Sequence, residues 1–194
     1  MGYYPDLKDR PLVFIDVETT GLDPLKHEML EVGAVVAHPD VDVVDVFSAK
    51  IKPMRIESAH PRALEVNGYT EEAWADAKPL FEVLPSFLAF VKGAVIGGHN
   101  VRFDAGFVNA AVAQLGLDLR IDYHLVDTCT LAYEHLVPHG LKSMSLANVC
   151  KFIGIPPEDA THRALAGAQK SMDVYRALTR ATDEDRLGWG LKGG

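Results

Sequence analysis

The chain of 194 residues is poor in cysteine, in long apolar runs and in positive charge. Its two cysteines, Cys129 and Cys150, lie far apart and form no CxxC pair. This suggests neither a disulfide framework nor a structural zinc site, and it makes a reducing, cytoplasmic location the expectation. No stretch reaches the ~18–20 continuous apolar residues of a membrane helix, so no membrane role is expected. The longest apolar cluster, Phe81 to Ile96, is interrupted by Glu82, Pro85, Ser86 and Lys92. Met1 to Arg10 lacks the apolar centre of a signal peptide. There is no internal repeat and no Gly/Ser linker. Lys and Arg number 19 against 27 Asp and Glu, a net charge of -8. That balance excludes a protein that holds long duplex nucleic acid by phosphate neutralisation alone. It leaves room for one that gathers carboxylates around a metal and grips a strand end with local cations.

What is present is ordinary globular material, 48% hydrophobic and 24% charged, in a length suited to one domain with a real core. Pro11 to Val17 is a β-branched and aromatic run that stops at Thr19-Thr20-Gly21, the pattern of a buried strand entering a turn. Met29 to Ala37 and Val41 to Ile51 read as the next two strands, with the turn residues His38-Pro39-Asp40 between them. Helices are expected over Ser58–Val66, ending at Asn67-Gly68, and over Pro79–Val91 with its one-sided apolar stripe. Ala94–Gly98 is a fourth strand, Asp104–Leu115 a helix and Ile121–Val126 a fifth strand. Thr128–Leu136, Ser145–Phe152 and His162–Thr179 complete a helix-rich second half. A meander of three strands followed by strands alternating with helices predicts an α/β domain with a mixed five-stranded sheet flanked by helices. Residues 1–10 form an N-terminal extension, residues 11–182 the domain, and the polar, Gly-rich residues 183–194 a flexible tail.

Asp16 and Glu18 carry the first chemical signal. They stand two apart at the end of an apolar strand, so both side chains leave the same face. Two crowded carboxylates repel one another and are costly to bury without a cation. A divalent metal with oxygen ligands satisfies them; so does simple solvation at a strand end, and the pair alone does not choose.

The segment Asp16-Val17-Glu18-Thr19-Thr20-Gly21-Leu22-Asp23 resembles the first block of the DEDD 3′–5′ exonucleases, the DnaQ-like group that includes DNA polymerase III epsilon-like proofreading enzymes. His99, Asn100, Phe103 and Asp104 match that family's second block, H-N-x-x-F-D. His162-Arg163-Ala164-Leu165 opens a segment similar to the third block of its DEDDh branch. The resemblance runs from Pro11 to Arg180 and implies a ribonuclease H-like fold, with residues 11–182 as an exonuclease domain. It also implies two Mg²⁺ or Mn²⁺ ions held by Asp16, Glu18 and Asp104. His162 takes the role of general base, for which an imidazole titrating near neutrality is suited. Thr19, Leu22, His99, Asn100 and Phe103 are implied to contact the substrate. Without the resemblance, Asp104 reads as a helix cap, His162 as a surface residue at a helix start and Phe103 as core.

One position departs from the family. The fourth acid belongs five residues after the histidine, and Gly167 stands there. No neighbour obviously replaces it. Asp173 is six residues on, ~9 Å along a helix and ~240° around it, and Asp159 precedes the helix. A helical glycine costs ~1 kcal/mol relative to alanine, so the exchange brings no evident stability.

The remaining features are weaker. Asp127-Thr128 reads as a helix cap. His135 and His139 have i,i+4 spacing, but Pro138 and Gly140 break the helix there and no further zinc ligands are at hand. Lys142-Ser143 and Arg102 are candidate phosphate contacts or solvated surface groups. Cys129 and Cys150 are expected in the core; Trp74 and Trp189 have no assigned role. The expected function is a metal-dependent 3′–5′ exonuclease that releases nucleoside 5′-monophosphates from single-stranded DNA or RNA ends, with a polymerase or repair protein as partner. The alternative is an exonuclease-fold module that binds 3′ ends or a protein and hydrolyses slowly or not at all.

Overall fold

At the centre of the sheet lies β1 (Leu12–Thr19), in the computed structural model that describes residues 6–37, 45–156 and 161–182 with Asp185, Gly188 and Trp189. The sheet order is β3-β2-β1-β4-β5. β2 (Met29–Ala37) pairs antiparallel with β1, and β3 (Val46–Lys50) antiparallel with β2. β4 (Val95–Gly98) and β5 (Leu125–Asp127) continue the sheet in parallel. The mixed five-stranded sheet flanked by helices is therefore present, and its open parallel half follows from the crossover through helices that parallel strands require.

The period of two along β1 divides its side chains between the layers. Val13, Ile15 and Val17 join Val32 and Ala34 of β2 in the larger core, against α2 (Leu80–Phe90) and α3 (Val101–Leu115). Phe14 and Val35 pack on the opposite face with Ala168 and Met172 of α6 (Ala164–Arg180). Asp16 and Glu18 follow Phe14 on the α6 side, and the register sets Asp16 opposite Gly33 and Glu18 opposite Glu31. A third cluster joins α4 (Thr128–Leu136), α5 (Leu146–Ile153) and the end of α6 around Leu136, Val149, Cys150 and Leu178, with Trp189 packed against it. α1 (Pro61–Asn67) contacts β1.

Several boundaries differ from expectation, each for a physical reason. β1 continues through Glu18 and Thr19, because β2 goes on pairing to Met29 across an irregularity between Glu18 and Thr19. α1 starts at Pro61 rather than Ser58: His60 caps it through Nδ1, which accepts from Arg62 N, and a separate 3-10 turn holds Ile56–Ser58. α3 starts at Val101, so Asp104 lies inside the first turn and does not cap it. β5 is limited to the residues that pair with β4. α6 begins at Ala164, so His162 precedes the helix. Cys150 is in the core, but Cys129 is only half-buried. Trp74 is buried, its indole N–H donating to Leu30 O at 2.9 Å. The expected strand residues 41–44, the turn 38–40, Asp159, residues 1–5 of the extension and most of the tail lie outside the described residues. Among the described residues no helix is long and apolar enough to cross a membrane.

Candidate active site

β4 pairs with β1 only over Leu12–Phe14. Beyond that point the second half of β1 runs past the end of its parallel neighbour, the kind of crevice at strand C-termini where open α/β sheets bind ligands. The N–H of Val17 there donates to Asp104 Oδ1 at 2.9 Å, fixing the first turn of α3 against the strand. Asp104 is 3% exposed. Burial pushes its carboxyl up to about 8, with the charge of Asp127 adding to the rise and the N–H groups of Val17 and of Asp104 itself opposing it.

A cavity of about 180 Å³ is lined by Asp16, Glu18, His99, Asn100, Phe103, Asp104, Leu146 and His162. The four residues expected to be catalytic thus come from three separated segments to one hollow. His162 is exposed at its edge, and its backbone N–H donates to Val66 O at 3.2 Å, tying this loop to α1. A second hollow of about 470 Å³ shares Val17, Glu18 and Phe103 with the first and is lined further by Thr19, Gly21, Leu22, His60 and Asn67. Leu22 is 82% exposed at this hollow, an apolar side chain left without a cover. Thr19, Leu22 and Phe103 therefore stand together in the wider, more apolar compartment, while His99 and Asn100 stand with the acids.

His99 is held at both ends: Nδ1 lies 2.8 Å from Thr128 Oγ1 and Nε2 lies 2.7 Å from Met144 O. Burial lowers its pKa, against the opposing Met144 carbonyl and Asp127. Nε2–H donates to the Met144 carbonyl, and the Thr128 hydroxyl, whose one proton is directed at Gly98 O at 3.1 Å, sits against Nδ1. Asn100 has φ 59°, the sole non-glycine residue at positive φ among the described residues. Asp127 Oδ1 accepts from both Asn100 N at 2.9 Å and Cys129 N at 2.8 Å. Asp127 is therefore the expected cap of α4 and, in addition, the brace of the strained turn before α3.

The sequence alone did not single out the residues that seat α6. Glu31 is 4% exposed. It accepts from the N–H of Ala164 at the start of α6, and its Oε2 lies 3.7 Å from Arg163 Nη1. Burial raises its carboxyl pKa, with Arg163 and then Lys50 opposing the rise. Arg163 also donates to Asn67 O at 3.1 Å, and Asn67 Nδ2 donates to Thr19 O at 2.9 Å. Gly33 lets the helix come this close: a Cβ there would stand 2.3 Å from Leu165 N. Asn67-Gly68 was legible as a helix stop, but nothing local marks the side chain as a lining group.

The narrower cavity offers three carboxylates and two imidazoles, of which His99 has both nitrogens engaged by Thr128 and Met144; the oxygen-rich set suits hard divalent cations such as Mg²⁺ and Mn²⁺. Among the described residues no three His, Cys, Asp or Glu side chains stand close enough to hold an ion as they are placed. Gly167, where the resemblance implies a fourth acid, lies in the first turns of α6, and a Cβ there would stand 2.6 Å from the Asp16 carboxylate. Arg102 is exposed on α3, and Lys142 and Ser143 line a different hollow beyond Met144. His135 and His139 fall in α4 and in the 3-10 turn after it.

A family model described as Exonuclease matches residues 13–175. The chain is 35% identical over 176 residues to a DNA polymerase III PolC-type protein of Thermotoga petrophila, covering 90% of this chain and 12% of that one. It is 34% identical over 174 residues to the DNA polymerase III subunit epsilon of Pasteurella multocida, covering 86% of this chain and 67% of that one. The chain thus spans about an eighth of the PolC-type relatives. Among solved structures, Escherichia coli exonuclease I in complex with a dT13 oligonucleotide superposes with TM-score 0.76 at 20% identity, over 89% of this chain and 41% of that one. The zinc-bound exonuclease I–ssDNA complex superposes with TM-score 0.75 at 22% identity, over 92% of this chain and 42% of that one.

Proposed function

The chain belongs to the exonuclease family, and from that premise we propose that it hydrolyses single-stranded DNA from the 3′ end and releases nucleoside 5′-monophosphates. The observation that carries this reading is the shared cavity of Asp16, Glu18, Asp104 and His162 beside the apolar hollow at Leu22 and Phe103. The terminal base and sugar fit the wider hollow, against Leu22 and Phe103, with Thr19 at its wall. The last phosphodiester then lies over the carboxylates. Mg²⁺ or Mn²⁺ ions held by Asp16, Glu18 and Asp104 would supply charge neutralisation at the phosphate when bound. His162 takes the proton of the attacking water, an exposed base at the cavity edge with access to solvent. Glu31 and Arg163 position it by fixing the start of α6. Asp104, whose burial disfavours its charge, gains from a cation.

DNA is favoured over RNA by the polymerase relatives and by the oligonucleotide bound to the structural neighbour. The same relatives favour a replicative polymerase as partner. The test is release of mononucleotides from a 3′-labelled oligonucleotide with Mg²⁺ and with Mn²⁺. Product that grows with time from the 3′ end supports the reading; a protected 3′ end with normal 5′ loss overturns it. A second reading rests on Gly167: with the fourth acid missing, the fold serves as a 3′-end binding module. Tight oligonucleotide binding without turnover in either ion selects it.

A further inference from the structure

A separate polar hollow of about 220 Å³ lies beyond the catalytic cavity, lined by Lys142, Ser143, Asn148, Lys151 and Phe152 together with Gly140 and Leu141. None of these lining residues is acidic, in a chain whose net charge is -8. Both lysines and Ser143 are exposed. The volume is below the ~300–1,000 Å³ of small-molecule pockets, so it suits a compact anion rather than a whole nucleotide.

The hollow is fastened to the catalytic cavity. Met144 O accepts from His99 Nε2 at 2.7 Å, and His99 and Leu146 both line that cavity. Ser145 caps α5 by accepting from Asn148 N at 3.4 Å, and its Oγ also takes a 2.7 Å bond from Asn148 Nδ2. Ser143 on the one hollow and Leu146 on the other are three residues apart, a reach of at most ~11 Å for extended chain. The hollow is therefore near enough to be reached by the next few phosphates of a single strand whose 3′ end sits over the carboxylates.

We propose that the hollow is a phosphodiester subsite, in which Lys142 and Lys151 pair with backbone phosphates upstream of the scissile bond and Ser143 adds a hydroxyl donor. It reads no bases and lengthens the grip on the strand. It also places local cations where an acidic protein needs them. The proposal rests on the exonuclease reading above.

The experiment is fluorescence anisotropy of 5′-labelled oligothymidylates, a dinucleotide and a dodecanucleotide, with Ca²⁺ present and the oligomers verified as intact. The parent is compared with the Lys142→Ala/Lys151→Ala double variant and with Lys151→Glu, all matched by thermal melting. The expected result is roughly tenfold weaker dodecanucleotide binding in the double variant. Its slope of log affinity on log salt should fall by about 1.4, that is ~0.7 for each lost single-strand phosphate contact. Lys151→Glu should weaken it further, and dinucleotide binding should not change. Unchanged dodecanucleotide affinity and salt slope overturn the subsite while leaving the exonuclease reading intact. Equal loss on the dinucleotide also overturns it, because the lysines would then act at the cavity of the acids. A parent that binds neither oligomer overturns the subsite, while mononucleotide release decides the exonuclease reading separately.

Discussion

The carboxylate of Asp16 fills the space that a side chain at position 167 would enter: a Cβ on Gly167 would stand 2.6 Å from its Oδ2 and 2.7 Å from its Cγ. The glycine therefore does more than remove a ligand. It leaves Asp16 leaning toward α6, at the position where the resemblance to DEDDh enzymes places another carboxylate. Any residue longer than glycine at 167 requires the Asp16 carboxylate to rotate away.

That relationship sharpens the expected effect of Gly167→Asp. The obstructing atoms are the end of a side chain, so rotation about its bonds makes room, and a divalent ion between the two carboxylates would offset their repulsion. Mg²⁺, which demands near-ideal octahedral geometry, suffers more than Mn²⁺ from a missing ligand. The parent is expected to be weak with Mg²⁺ and partly active with Mn²⁺. Gly167→Asp should raise Mg²⁺-dependent hydrolysis by about 10–100-fold, the range that losses around metal ligands cost. Gly167→Ala, which displaces Asp16 without adding a ligand, should not. Initial rates of mononucleotide release decide; a parent fully active with Mg²⁺ and no faster as the Asp variant defeats the idea.

Asp104 makes metal-free stability depend on pH. Its carboxyl titrates near 8 when folded, against an ordinary value of 3.8. Folding therefore takes up a proton between those values, and the stability contributed by the protonated form is lost as pH rises through the folded pKa. In EDTA the parent should lose thermal stability as pH climbs through this window. Asp104→Asn keeps an oxygen acceptor for the Val17 N–H and should not follow that loss. Melting curves of the two proteins that run parallel across the window would remove burial of this charge as the cause.

Much of this arrangement was legible locally. Alternation along β1 put Asp16 and Glu18 on one face, and that face is the one against α6. The acid blocks and His162 meet in one cavity as their resemblance to a known family implied. What was not legible depends on contacts distant in sequence. Glu31 looks like any acid in a strand until Ala164 and Arg163 arrive over it. The start of α6 moved from His162 to Ala164 because no local pattern shows that Glu31, a residue of β2, receives its first N–H. Without the resemblance Asp104 reads as a cap, because the bond it accepts comes from Val17, on a strand read separately.

Removing the proposed base tests its role directly. His162 is exposed and lies before α6, so His162→Ala should leave melting unchanged. Turnover should fall by about 10²–10⁴-fold, the usual worth of general-base assistance, with little change in KM. Where the parent is slow, the comparison is made in the Gly167→Asp background. Equal kcat in the two proteins would dismiss the assignment.

Asp16→Asn should abolish or strongly weaken Mn²⁺ binding in calorimetry while the metal-free protein melts at the same temperature or higher. Crowded carboxylates cost stability when no cation is bound, so removing one charge relieves repulsion. Unchanged Mn²⁺ affinity would take Asp16 out of the metal site.

Two glycines separate close approach from mere helix weakening. A Cβ on Gly33 would meet backbone, 2.3 Å from Leu165 N and 2.4 Å from Ala164 C, so the first turn of α6 must retreat from β2. Gly33→Ala should destabilise by about 1–3 kcal/mol, the usual cost of overpacking. It should also lower turnover, because His162 and the α6 face at Gly167 move with that turn. Gly106 lies inside α3, where a Cβ would find nothing nearer than Pro24 Cγ at 4.0 Å. Gly106→Ala should therefore stabilise by about 0.4–1 kcal/mol through the unfolded chain and leave turnover alone. Denaturant unfolding and oligonucleotide hydrolysis on both variants check the pair. If Gly33→Ala melts and turns over like the parent, the seating of α6 on β2 does not set the site.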